Sequence, residues 1–130
     1  TKIAMLTLRN AELAIFRTDS DNSFNSYFNQ GNLRHVHITN PANINQQNLI
    51  NLIDNCISVC DNFSNRADFL FPLVNNGNFI DLKNNLTNAL HNAQACNYLK
   101  MVGDMGQANA ARNVLINDLT QFTIKDLNEI

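Results

Sequence analysis

Apolar residues recur at three- and four-residue steps along most of the chain, the spacing of amphipathic helices. From Lys2 to Arg17 they include Ile3, Met5, Leu6, Leu8, Leu13, Ile15 and Phe16, a broad pattern with few breakers. The polar run from Thr18 to Ser23 predicts a loop. Phe24, Tyr27 and Phe28 then predict a short second helix, stopped by Gly31-Asn32. In Leu33 to Thr39, Arg34, Val36 and Ile38 alternate with His35 and His37. That is strand spacing, but a lone strand has no partner, so the segment reads as an extended connection.

Thr39-Asn40-Pro41 is a good helix start, with Pro at the first helical position. The clearest helix of the chain follows it: Leu49, Leu52, Ile53, Cys56, Ile57, Cys60 and Phe63. Asn65 to Val74 predicts a short helix broken at Pro72, and the Asn75–Asn78 segment a turn around Gly77. Phe79, Leu82, Leu86, Ala89, Leu90, Ala93 and Leu99 mark a long helix that Gly103-Asp104 should end. Ala108, Ala111, Leu115, Leu119 and Phe122 mark another, and Thr123 with Asp126 reads as a capping-box variant opening a terminal helix over 124–129. The expected architecture is all-α: an irregular helical bundle of five to seven helices, in a single domain covering residues 1–130.

Composition changes this picture in one respect. The wet faces of helices usually carry Glu and Lys, but here Glu stands only at Glu12 and Glu129, Lys is present four times, and Asn 25 times. Asn competes for backbone hydrogen bonds and favours caps and turns, so these helices must draw their stability from packed apolar faces. At 130 residues and 45% hydrophobic content the chain can bury a substantial core without disulfides or metal. Thr1 fits either removal of an initiator Met or an excised domain.

Charge narrows the function classes. The net charge is −2 with cations scattered, so no phosphate-binding patch forms and nucleic acid is not the expected partner. No apolar stretch reaches the roughly 20 residues of a membrane helix, so membrane insertion is not expected. Cys56, Cys60 and Cys96 are odd in number and without paired spacing, which points to free thiols in a reducing, cytoplasmic compartment.

The chemistry-bearing residues have ordinary readings. Cys56 and Cys60 share the core face of their helix and read as small buried hydrophobes. All three cysteines fall mid-helix in this reading, whereas reactive thiols favour helix N-termini or nearby cations. Asp104, Asp118 and Asp126 read as caps and solvated charges, and neither a metal site nor a cofactor is expected. The spacing of Ala95, Leu99, Gly103, Asp104 and Ala108 resembles part of one tetratricopeptide-type helical hairpin, with Arg112 where that pattern carries an aromatic. Without a second copy it is read as a tight hairpin. No catalytic residue is assigned.

The expected function is that of a protein-protein interaction module: an adaptor, inhibitor or accessory regulatory domain binding a protein partner or a second copy. The Phe-rich segments Phe24–Phe28 and Phe69–Phe71 exceed what one short helix face can bury, so part of them is expected to be exposed. The candidate contact residues are the aromatics Phe24, Tyr27 and Phe28, against the alternative that they roof the core, together with His35 and His37 on one side of the extended segment. The alternative class is a small cysteine-dependent transferase or hydrolase using a Cys/His pair.

Overall fold

The computed structural model describes residues 2–30, 44–71 and 77–125 of the 130. These form four helices: α1 (Lys2–Gln30), α2 (Gln46–Leu70), α3 (Gly77–Gln94) and α4 (Tyr98–Lys125). No strand occurs among the described residues. The helices pack in a closed ring, each on the next and α4 back on α1. Paired ties show neighbouring helices running antiparallel: Arg9–Leu70 with Glu12–Arg66, Gln46–Ala93 with Asp61–Lys83, Asn78–Asp118 with Asn92–Asp104, and Arg17–Thr120 with Ser20–Arg112. The all-α expectation holds, but the described helices number four rather than five to seven, because several expected breaks are absent.

Each helix turns one stripe inward. In α4 the stripe is Tyr98, Met101, Met105, Ala108, Arg112, Leu115 and Leu119, at alternating three- and four-residue steps. In α2 it runs from Leu49 through Ile53, Cys56, Cys60, Phe63 and Ala67 to Leu70. That stripe is continuous across 63–67, which is why the short helix expected from Asn65 is the end of α2. Phe71 caps it, its N–H donating to the Ala67 carbonyl at 2.8 Å. Three rings join three helices at the centre: Phe16 lies 4.3 Å from Phe63 and 6.2 Å from Phe79, centroid to centroid.

The largest correction concerns residues 18–23. The expected loop is the middle of α1, and the inward stripe passes through it as Arg9, Leu13, Phe16, Ser20, Phe24 and Tyr27. Ser20 is fully buried and accepts from Arg112 at 3.2 Å, while the adjacent Asp21 pairs with the same guanidinium, which also lies over the Phe24 ring at 5.2 Å. Residues that would cap a turn in isolation are instead satisfied by a neighbouring helix, and packing overrides their local preference.

The hairpin turn also moves. Gly103 and Asp104 lie inside α4, and the break falls at Ala95-Cys96-Asn97. Cys96 takes a left-handed conformation with φ 57°. The Asn97 N–H reaches the Asn92 carbonyl at 2.8 Å and the Cys96 N–H reaches Ala93 at 3.2 Å. These are the two bonds of a Schellman motif, with cysteine where glycine is usual. Gly103 has nothing within 4 Å of an added Cβ, so it supplies none of the close approach that the tetratricopeptide-type resemblance implied. Gly77 and Asn78 open α3 rather than turn, and α4 continues through Thr123 to Lys125, so no capping box starts there. Ile44 and Asn45 are not helical; Asn45 caps α2 by accepting the Asn48 N–H at 3.1 Å. The expected start at Pro41 and break at Pro72 lie outside the described residues, as do His35, His37 and Asp126.

Candidate interaction surface

The polar interior fixes how α1 sits, and hence which surfaces it presents. Arg9 is fully buried, its Nε donating to the Leu70 carbonyl at 2.5 Å and its guanidinium 5.3 Å from the Phe71 ring. A cation on the last carbonyls of α2 satisfies groups the helix leaves unpaired and complements its dipole. Arg112 holds the other end, through Ser20 and Asp21. α1 is thus pinned at Arg9 to α2 and at Ser20-Asp21 to α4, with its rotation set between the two.

That rotation leaves a groove along the outer side of α1 and α2. Its first stretch is lined by Leu8, Glu12, Arg66 and Phe69, with Leu70 beneath. The next is lined by Glu12, Ile15, Asp19, Val59, Asn62 and Arg66, over a floor of Phe16 and Phe63. The last is lined by Asn22, Ser23, Ser26, Asn55, Ser58 and Asn62. Shared residues make the three continuous, and Leu8 to Ser26 spans about 27 Å of helix.

The groove changes character along its length. At one end Leu8 is 43% exposed, Ile15 49% and Phe69 70%. This leaves on the order of 300 Å² of large apolar side chain in water, a patch size often functional on a monomer. At the other end only amides, hydroxyls and Val59 line the walls. Between them Arg66 donates to Glu12 across the groove at 2.9 Å.

The aromatics expected as contacts lie elsewhere. Phe24 and Tyr27 are buried among the inward stripe, and Phe28 is partly buried against it, edge-on to Tyr27 at 5.2 Å. The exposure expected of Phe24 and Tyr27 is therefore not found, because α1 continues through 18–23 and turns both rings into the core. The Tyr27 hydroxyl is buried without a hydrogen-bond partner, and burial pushes its pKa above the ordinary 10. The sequence marks the Phe69–Phe71 segment, like Phe24–Phe28, as holding more rings than one face can bury, and Phe69 is indeed exposed, but it gives Leu8 and Ile15 no such role. The signal was present: Leu8 and Ile15 fall off the Leu13–Phe16 stripe, so the breadth of the first apolar pattern marks a second face.

Cys56 and Cys60 are fully buried, and burial pushes both thiols up to about 12 from the ordinary 9. Cys96 is not mid-helix but exposed in the α3–α4 turn. There its hydrogen bond to Tyr98 raises the phenol to about 12. His91 is exposed on α3. Among the described residues, no three His, Cys, Asp or Glu side chains converge to hold a metal ion, and no helix is long and apolar enough to cross a membrane. Asp104 and Asp118 are not merely solvated. Asn92 donates to Asp104 at 2.6 Å and Asn78 donates to Asp118, tying α3 to α4. Comparison with protein-family models, with curated proteins and with solved structures returned no match.

Proposed function

We propose that this chain is a protein-interaction module of the adaptor, inhibitor or accessory kind, and that its contact face is the α1–α2 groove. The observation that carries the reading is the exposure of Leu8 and Phe69 beside one another, with Ile15 in the next stretch of the same groove, on a face that no element of the described fold covers. Leaving large apolar side chains in water costs free energy that a partner would recover by covering them. Phe69 is the expected anchor, since a rigid ring buries much area at little entropy cost. At Cys56 and Cys60 the cysteine-dependent alternative has less support, since a thiol raised to about 12 holds almost no thiolate at neutral pH; the exposed Cys96 is its remaining candidate.

The test is retention of bound protein, whether another chain or this one, by the full chain and by Phe69→Ser and Val114→Ser variants. Both substitutions fall at exposed positions, Val114 being 49% exposed on α4. A protein held by the unaltered chain should be lost from the Phe69→Ser chain and kept by the Val114→Ser chain. Equal retention by all three would sink the assignment of this face.

A further inference from the structure

The groove is complementary to itself. Its acidic groups, Glu12 and Asp19, lie on α1, whereas Arg66 and the amide donors Asn55 and Asn62 lie on α2. A two-fold axis running along the groove places α1 of one molecule over α2 of another. Phe69 then meets Leu8 of the second copy, Arg66 meets its Glu12, and Asn62 meets its Asp19. A two-fold axis across the groove would instead lay α1 on α1, stacking Glu12 on Glu12 where it crosses at that residue and Glu12 on Asp19 where it crosses midway between the two, both of which like charge disfavours. The polar end fits the same operation, because each amide is donor and acceptor at once and can pair with its own kind. The small net charge of −2 also leaves little repulsion between copies.

From this complementarity of charge and hydrogen bonding we infer that the α1–α2 groove is covered by a second copy of the chain, in an isologous dimer with its axis along the groove. The inference rests on the reading of this face as the contact surface. It also gives the amide-rich outer face of α1 and α2 a use: neutral groups that are both donor and acceptor make one surface match itself.

Sedimentation equilibrium on the full chain, up to about 1 mM, tests the inference, with far-UV circular dichroism confirming helicity of each variant. The unaltered chain should sediment as a dimer in a concentration-dependent way. Arg66→Glu alone and Glu12→Arg alone should each be monomeric, one acidic and one basic across the groove. Mixing the two should restore a dimer, since each copy supplies the charge the other needs. The two positions are 53% and 20% exposed at the side chain, and a surface pair contributes little to folding. Phe69→Ser, which does not touch the ion pair, should weaken self-association about tenfold or more. A monomer at every concentration, a dimer indifferent to all three substitutions, or a mixture that stays monomeric would overturn the inference. A monomeric chain whose Phe69→Ser variant still loses another protein would overturn the second copy alone and leave the contact face standing.

Discussion

The α3–α4 pair and the α1–α2 pair are both antiparallel helices, yet they close differently. α3 and α4 are joined by a three-residue turn and make the most extensive helix contact of the fold. Small residues on their inward stripes, Ala89, Ala93 and Ala108, are fully buried, and Asn–Asp bonds tie the pair outside that seam. Among the described side chains their exposed large apolar residues are Ile80 on α3, with Leu99 and Val114 far apart on α4. On α1 and α2 the same inward packing is complete, but Leu8 and Phe69 remain outside and adjacent, with Ile15 in the next stretch of the same groove. A helix pair is finished when its apolar residues fit one stripe; α1 has more than one stripe can hold.

The sharpest way to break this comparison is truncation on each side. Leu86→Ala, at a fully buried α3 position, should destabilise the chain by about 3 kcal/mol in chemical unfolding, whereas Leu8→Ala in the groove should cost less than about 1 kcal/mol. Equal costs would mean that the α1–α2 face contributes to the fold as the hairpin core does.

Arg112→Ala should cost about 2 kcal/mol, since it strips Ser20 and Asp21 of their partner in the middle of α1. Asp21 is half-exposed, which moderates the loss. Local hydrogen exchange should rise in residues 18–23, where the composition alone favours a loop. Unchanged protection there would show that α1 does not depend on this clasp.

Alkali offers a third test. The thiols of Cys56 and Cys60 titrate near 12 when folded and near 9 in an ordinary environment. Below pH 9 both states are protonated and the thiols confer no pH dependence. Between 9 and 12 the unfolded chain releases protons that the folded chain retains, so stability should fall by about 1.4 kcal/mol per pH unit for each thiol. Tyr27, also raised, adds to the fall above pH 10. Replacing both cysteines by alanine should flatten the slope between 9 and 12, whatever it does to stability at neutral pH.

The smallest effect is a gain. Gly106 lies exposed in α4 and an added Cβ meets nothing within 4 Å, so Gly106→Ala should stabilise by about 0.5–1 kcal/mol in thermal unfolding. A loss would mean that the α4 backbone needs the glycine.

Gly103 and the run at 18–23, both inside helices, show what sequence could and could not convey. Apolar periodicity located the α2 stripe, including the Cys56–Cys60 face, and parts of the stripes of α1, α3 and α4. It misplaced the breaks because it treated Gly103 and the Ser- and Asp-rich run at 18–23 as stops. Both preferences are local and weak, on the order of 1 kcal/mol per residue, and a packed stripe on either side outweighs them. The real α3–α4 turn was hidden for the converse reason, since Cys96 carries no compositional mark of a left-handed residue. Arg9 and Arg112 were illegible as buried groups, because nothing local distinguishes a solvated arginine from one that meets a helix end or a serine far along the chain. The groove was half legible: the breadth of the α1 pattern was visible, but which side Phe69 joined depended on the packing of α2.

Side-chain footprinting with a photolytic carbene, over a range of concentrations of the unaltered chain, tests the central claim most directly. If the α1–α2 groove is the contact face and a second copy covers it, labelling at Leu8, Ile15 and Phe69 should fall as concentration rises, while Ile80, Leu99 and Val114 stay labelled throughout. Protection of the α3–α4 residues with the groove still labelled would contradict the account.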